Sequence, residues 1–441
     1  MNPLAHDLNS AIAAVNPQVL EMLSPLGREL YFPKGILTQS AEAKQLARRY
    51  NATIGTAMEN GVAMNLPSVM MHLGDVSAND ALLYAPSPGM QALRDEWTKK
   101  LLIDNPDLRG VGISVPVVTT GLTHGLSVIG DLFMEAGDVL LLPDMMWENY
   151  NLIFALRRQV EIRQYNGLRD GGLDLDAFRQ ALTAACAERK KVVVLLNFPN
   201  NPTGYSATEA EGQALAAALT AAAAGGTNIV VLIDDAYYGL FFDERIMKQS
   251  IFTKLATAHP RLLAIKADAA TKEVYVWGLR VGFLTFGSAG APAQSPLYVA
   301  LEKKAAGCIR SVISNSSQLS QQIVLEALRH PDFYAQRAAK VALMRTRALK
   351  VKEVLADPKY AEAWTVYPFN SGYFMCIRVK HVNAEALRVH LLKQYGVGTI
   401  ANNDTDLRIA FSCLEVEQIQ DVFDLLLQGW SDLAKAAPAS A

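Results

Sequence analysis

Lys272 lies in the stretch Ala270-Thr271-Lys272-Glu273-Val274-Tyr275-Val276-Trp277-Gly278-Leu279-Arg280-Val281-Gly282. A lysine that traps a carbonyl must present a neutral amine at a fixed place, which burial and nearby positive charge favour. Arg280, eight residues on, enters an apolar run through Gly-Leu-Arg-Val-Gly and carries the planar fork that grips a phosphate by two bonds. Alone, this lysine reads as a surface residue. Its company argues otherwise. Asn200-Asn201-Pro202-Thr203-Gly204 and Asp234-Asp235-Ala236-Tyr237 each follow an apolar, β-branched run. Taken singly, the first is a turn and Asp234 a helix cap. Further upstream, Thr120-Gly121-Leu122-Thr123-His124-Gly125 follows another such run and opens a helix, whose first N–H groups make an anion site.

The elements that must hold these residues alternate. Continuous apolar runs at 115–119, 138–142, 191–196, 228–233, 262–265 and 280–286 have the look of strands buried on both faces. Helical stretches separate several of them. The clearest starts at Ser206, with Glu209 completing a capping box, and runs through Ala-rich sequence to Gly225-Gly226. This alternation predicts an α/β domain with a mostly parallel sheet over about residues 71–335, whose ligands sit beyond the carboxyl ends of the strands. Residues 318–355 read as helix, interrupted near His330-Pro331. Strands near 372–379 and 407–411 and helices near 384–395 and 416–427 predict a second, smaller domain. Residues 1–70 read as less regular, and the Ala/Pro/Ser-rich tail 434–441 as frayed.

The ordered set Asn-Pro-x-Gly, Asp-x-Ala-Tyr, Lys and Arg, each at a strand end, resembles the fold-type-I pyridoxal-phosphate enzymes, specifically the class I aminotransferases, over nearly the whole chain. The resemblance implies a large cofactor-binding domain at 71–335, its mostly parallel sheet sandwiched by helices. It also implies a smaller α/β domain built from both chain ends, 1–70 and 336–441. Lys272 then forms the Schiff base with pyridoxal 5′-phosphate and shuttles the proton, while Asp234 pairs with the protonated pyridine nitrogen. A cationic ring is the electron sink that such chemistry needs. Asn201 and Tyr237 match donors to the ring's phenolic oxygen, and Arg280, Gly121, Leu122 and Thr123 match phosphate contacts. His124 falls behind them. Trp147, in Met146-Trp147-Glu148-Asn149-Tyr150, matches the aromatic stacked on the ring, and Tyr84 matches a tyrosine that reaches the phosphate of a second subunit, which implies a homodimer.

For the substrate, Arg408 matches the arginine that clamps the α-carboxylate, a group suited to its fork. Asn201 is expected beside it, and Gly55, in Asn51-Ala52-Thr53-Ile54-Gly55-Thr56-Ala57, resembles the backbone contact of the aspartate and aromatic aminotransferase branch. Arg310 aligns with a second-subunit arginine that reads a distal carboxylate, or else is a surface or interface residue. Two departures stand out. Ala269 occupies the position of a usual phosphate serine, so that either Thr271 compensates or one contact is lost, and the segment 31–36 has no counterpart in the resemblance. The reaction implied is amino transfer from an L-amino acid to a 2-oxo acid. A β-lyase or decarboxylase would share the same cofactor residues, and a non-catalytic sensor would share the fold. No basic helix-turn-helix precedes the set, which argues against the sensor.

Composition agrees. With 51% hydrophobic and 19% charged residues the chain is not disordered, and a formal net charge of −2 gives no reason to expect nucleic acid or an acidic membrane as partner. The 441 residues suit about two to three domains. Four dispersed cysteines (Cys186, Cys308, Cys376, Cys413) make no CxxC pair, so neither a disulfide framework nor a metal knuckle is expected. The first residues, with Asp7 and Asn9, do not read as a signal peptide, and no apolar run reaches the roughly 18–20 residues of a membrane span. A cytoplasmic enzyme is the expectation.

Overall fold

The computed structural model describes residues 2–31 and 35–436. Phe32, Pro33 and Lys34 of the unmatched segment, and residues 437–441 of the tail, lie outside the described residues.

Seven strands form the large sheet, in the spatial order Val117–Thr119, Gly282–Ser288, Leu262–Ala269, Asn228–Asp234, Lys191–Asn197, Val139–Pro143 and Glu161–Tyr165. Only Gly282–Ser288 runs antiparallel to its neighbours, so the sheet is mostly parallel as expected. The central strands divide their side chains between two cores. Val193 and Leu195 pack on one face with Leu126, Ile129 and Ile323, while Val192, Val194 and Leu196 pack on the other with Phe178, Leu215 and Leu219. Each such side chain, fully buried, contributes about 1.5–3 kcal/mol, and helices must cover both faces for that to happen.

Several boundaries differ from expectation for physical reasons. The first strand begins at Val117 because Pro116 has no N–H to donate to a ladder. The strand expected to end at Ile265 continues to Ala269, carrying Lys266 and Asp268 inside the protein as an ion pair. The strand expected from Arg280 starts at Gly282, and Arg280 instead sits in a left-handed turn (φ 55°) before it. The Ala-rich helix, Glu209–Ala224, is capped by Thr208 and Glu211 rather than Ser206 and Glu209. Ser206 is held elsewhere, accepting from Ser371 Oγ at 2.8 Å.

The N-terminal region is more regular than its sequence suggested. Helices span Pro3–Val15, Pro17–Met22, Pro25–Glu29 and Ile36–Leu46, the first three capped by Asn2, Asn16 and Ser24 with proline next. Downstream, the helical stretch breaks as expected into Gln318–Arg329 and Phe333–Leu355. A four-stranded antiparallel sheet follows, Trp364–Val366, Met375–Val379, Asp406–Ile409 and Ile400–Ala401 in that order. Ala384–His390 packs on it, and Ile419–Ala436 packs on Ala384–His390 and Phe333–Leu355. The chain's two ends meet where Tyr50–Asn51 pairs with Val397–Gly398. Among the described residues no helix is long and apolar enough to cross a membrane.

Candidate active site

At the carboxyl ends of the large sheet's strands lies a cleft of about 300 Å³. Its walls include Gly55, Leu122, Thr123, Trp147, Asn201, Asp234, Tyr237, Lys272, Arg280 and Arg408, brought together from positions spread over most of the chain.

Asp234 is the last residue of its strand and is buried. Its Oδ2 accepts from the Tyr150 hydroxyl at 2.7 Å and its Oδ1 from the Ala236 N–H at 3.1 Å. Burial pushes the carboxyl up, while these hydrogen bonds and the Lys272 amine hold it down. On the neighbouring strand Asn197, level with Asp234, donates to the Asp234 carbonyl at 2.9 Å and accepts from Asn201 N–H at 2.8 Å. One asparagine thereby sets the Asn-Pro-Thr-Gly loop against the aspartate.

Lys272 projects from a single helical turn, Ala270–Glu273, that follows the next strand. Its amine stands 4.4 Å from the centre of the Tyr237 ring, with no hydrogen bond or ion pair among the described residues. Burial brings its pKa down to about 8, helped by Arg280 and opposed by Asp234. Tyr237 is buried edge-to-face against Tyr373 and Phe374, each at 5.5 Å.

At one end of the cleft Arg280 closes on the loop at Gly121. A side chain on Gly121 would run into the Arg280 guanidinium, and the glycine's φ of +75° disfavours any other residue. Leu122 and Thr123 follow in the first turn of the helix Gly121–Phe133. His124 turns back, its Nδ1 accepting from Thr120 N–H at 3.0 Å, and does not line the cleft. Ala269 and Thr271 both reach the wall, but the Thr271 hydroxyl is enclosed and unpartnered.

At the other end Arg408 is buried over the Phe374 ring (4.1 Å), donating to Asn201 Oδ1 at 3.0 Å and to the Thr53 carbonyl at 2.8 Å. Among the described residues no carboxylate pairs with either Arg280 or Arg408. For the buried Arg408 that is costly unless a ligand brings an anion, whereas Arg280 is exposed at the cleft mouth.

Two expected residues lie elsewhere. Tyr84 is 92% exposed, and Arg310 is exposed on a helix end, donating to Ser314 Oγ at 2.5 Å. Neither lines the cleft of this chain. Sequence reasoning missed Tyr150, Asn197, Trp277 and Phe374, which do. Asn197 carried a readable signal, one residue past an expected strand in line with Asp234. Phe374 carried none.

A family model for aminotransferase class I and II matches residues 59–426. The chain belongs to that family. A probable aspartate/prephenate aminotransferase of Aquifex aeolicus is 26% identical over 66% of this chain and 69% of its own length. An aspartate aminotransferase of Geobacillus stearothermophilus is 26% identical over 43% of this chain and 47% of its own. Among solved structures, an aminotransferase of Anaerococcus prevotii superposes with a TM-score of 0.79 at 20% identity, over 93% of this chain and 99% of that one. A mutant Thermus thermophilus aspartate aminotransferase gives 0.70 at 18%, over 94% and 99%. The fold is therefore fold type I, and this aminotransferase is a pyridoxal-phosphate-dependent transaminase. Neither the lyase, the decarboxylase nor the sensor reading is favoured.

Proposed function

We propose that the cleft assembles around Lys272 as the amine that binds pyridoxal phosphate covalently and moves the substrate's Cα proton. The observation that carries this reading is the unpaired Lys272 amine, 4.4 Å over Tyr237 in one cleft with Asp234 and the two unpaired arginines. The residues fit the group: Arg280 against the side-chain-free Gly121 suits a phosphate, and the buried Asp234 suits a cationic ring nitrogen. Bound there, the cofactor supplies the electron sink. Leu122 and Thr123 would hold the phosphate with Arg280, Trp147 would pack on the ring, and Asn201 and Tyr237 would serve as hydrogen-bond donors to it. Tyr150 and Ala236 hold Asp234 by both oxygens, which fixes the orientation in which its carboxylate would meet a cationic ring nitrogen.

Arg408 receives the substrate's α-carboxylate, and Gly55 leaves room for the substrate beside Tyr237. A carboxylate placed there ends the arginine's lack of an anion, which makes the site selective for acids. The division into 1–70, 71–335 and 336–441 is supported by the two sheets and by the pairing of the chain ends. A homodimer is supported by Tyr84 and by the exposed apolar side chains Leu82, Leu83, Met70, Met71 and Leu73. Four free cysteines support a reducing, cytoplasmic setting.

The relatives' names and Arg310 point to acidic amino donors, aspartate or glutamate, with aromatic donors as the second reading. The test is 2-oxo acid release from aspartate, glutamate, phenylalanine and alanine by wild type and Arg310→Leu. Loss of the glutamate preference in Arg310→Leu, by roughly 2–5 kcal/mol in kcat/KM, is expected. An unchanged glutamate-to-phenylalanine ratio removes Arg310 from the site.

A further inference from the structure

Directly behind the cleft lies a second set of charges that the reaction does not use. Glu273, next to Lys272, points away from the cleft into the protein and is buried. Its Oε2 accepts from Lys100 Nζ, on the helix Gln91–Asp104, and lies 3.6 Å from Arg337 Nη2, on the helix Phe333–Leu355. Both cations also hold Asp104, Lys100 at 2.6 Å and Arg337 at 3.1 Å. On the adjoining strand Lys266 pairs with Asp235 at 2.6 Å and Asp268 at 3.1 Å. Asp268 in turn accepts from Trp97 Nε1 at 3.2 Å.

Consider what holds Lys272 in place. A helix of one turn does not support itself, because nucleation costs more than a single turn of hydrogen bonds returns. The four residues Ala270–Glu273 are tied by the Ala270 N–H to the Val281 carbonyl at 3.1 Å, and by the Val274 N–H back to the Ala270 carbonyl at 2.9 Å. Among the described residues the Lys272 side chain finds no hydrogen bond that would orient it. Glu273 supplies the side-chain tether, and it reaches two long helices at once. A neutral, well-packed residue would fill the same space, so the charged arrangement serves orientation more than stability.

We propose that Glu273 is a positioning residue for the transamination: held by Lys100 and Arg337, its carboxylate fixes the turn that presents Lys272 to the cleft. This rests on Lys272 being the amine that carries the cofactor. The excess of carboxylates in the cluster, four against three cations, fits a carboxyl retained for geometry. Among the described residues of the cluster, Asp268 Oδ1 and Glu273 Oε1 are fully enclosed and have no hydrogen-bond partner.

The test uses the holoenzyme and two variants. Glu273→Gln keeps the reach and removes the charge, while Glu273→Asp keeps the charge and shortens the reach. Each is measured for thermal unfolding, for kcat and KM separately, and for the rate at which the cofactor-free protein forms a borohydride-stable adduct with pyridoxal phosphate. The expected result is a folded protein in which kcat and adduct formation fall about 10- to 100-fold, with KM for the amino donor within about threefold. The amides of residues 272–274 should also exchange faster with solvent. Parental kcat and adduct rate in both variants overturn the proposal, and so does loss of the fold in both, which would make Glu273 purely structural. Lys272→Ala serves as the control for the reading beneath. If that variant still forms the adduct, the assignment of Lys272 fails. If it does not and the Glu273 variants behave as parent, only the role of Glu273 fails.

Discussion

Two groups of three cations stand on either side of one helical turn, and they are treated oppositely. In the cleft, Lys272, Arg280 and Arg408 have no carboxylate partner among the described residues. Behind it, Lys100, Lys266 and Arg337 each have two. Desolvation penalises the buried charges Arg408, Lys100 and Lys266, and the protein offsets it with carboxylates of its own chain only behind the cleft. On the reading proposed above, the unpaired cations are the places of a phosphate and a carboxylate, and the paired ones belong to the frame that holds them.

The contrast is sharpest in stability. Arg337→Leu removes one partner from Asp104 and Glu273 together, and should lower the unfolding free energy by about 3–5 kcal/mol, read from denaturant midpoints of the cofactor-free protein. Arg408→Leu, in the same assay, should leave stability unchanged or raise it, because it removes a buried charge that has no anion. A clear loss of stability in Arg408→Leu would mean that the cleft arginine is structural.

The next expected effect is on substrate. Arg408→Leu should reduce kcat/KM by roughly 2–5 kcal/mol for any α-amino acid. The corresponding amine that lacks the α-carboxylate should be affected little. Equal losses for both would detach Arg408 from the carboxylate.

A smaller effect concerns pH. Lys272 has its pKa brought down from 10.5 to about 8 by burial, so the native protein releases this proton before the unfolded chain does. Between those two values the unfolded chain binds more protons, and the contribution of Lys272 to the stability of the cofactor-free protein rises with pH across that window. The neutral amine is the nucleophile, so capture of added pyridoxal phosphate should quicken with pH up to about 8 and then level off. A capture rate independent of pH between 6 and 9, a window of roughly one to two units around the shifted value, would contradict the burial argument.

Much of the cleft was legible because buried parallel strands announce themselves as apolar runs, and their carboxyl ends carry the site. Asp234, Asn201, Lys272 and Tyr237 all fall there. The losses have physical causes. Lys266 and Asp268 broke the apolar run at Ile265, and only their pairing in space shows that the strand continues to Ala269. Arg280 looked like a strand residue because its neighbours are apolar, yet a left-handed turn aims it at Gly121. The N-terminal helices did have a local signal, Asn2-Pro3, Asn16-Pro17 and Ser24-Pro25, each a cap followed by a proline. Phe374 and Tyr150 enter the cleft through tertiary packing, which no spacing along the chain encodes. Tyr84 and Arg310 were assigned to a neighbouring subunit's cleft, and their exposure here is compatible with that place.

The most direct measurement of the central claim is to reduce the holoenzyme with borohydride, digest it and locate the pyridoxyl group. The group is expected on the peptide containing Lys272, and Lys272→Ala should retain a folded structure but gain no pyridoxyl group and not transaminate. A pyridoxyl group on any other lysine, or parental turnover in Lys272→Ala, would contradict it.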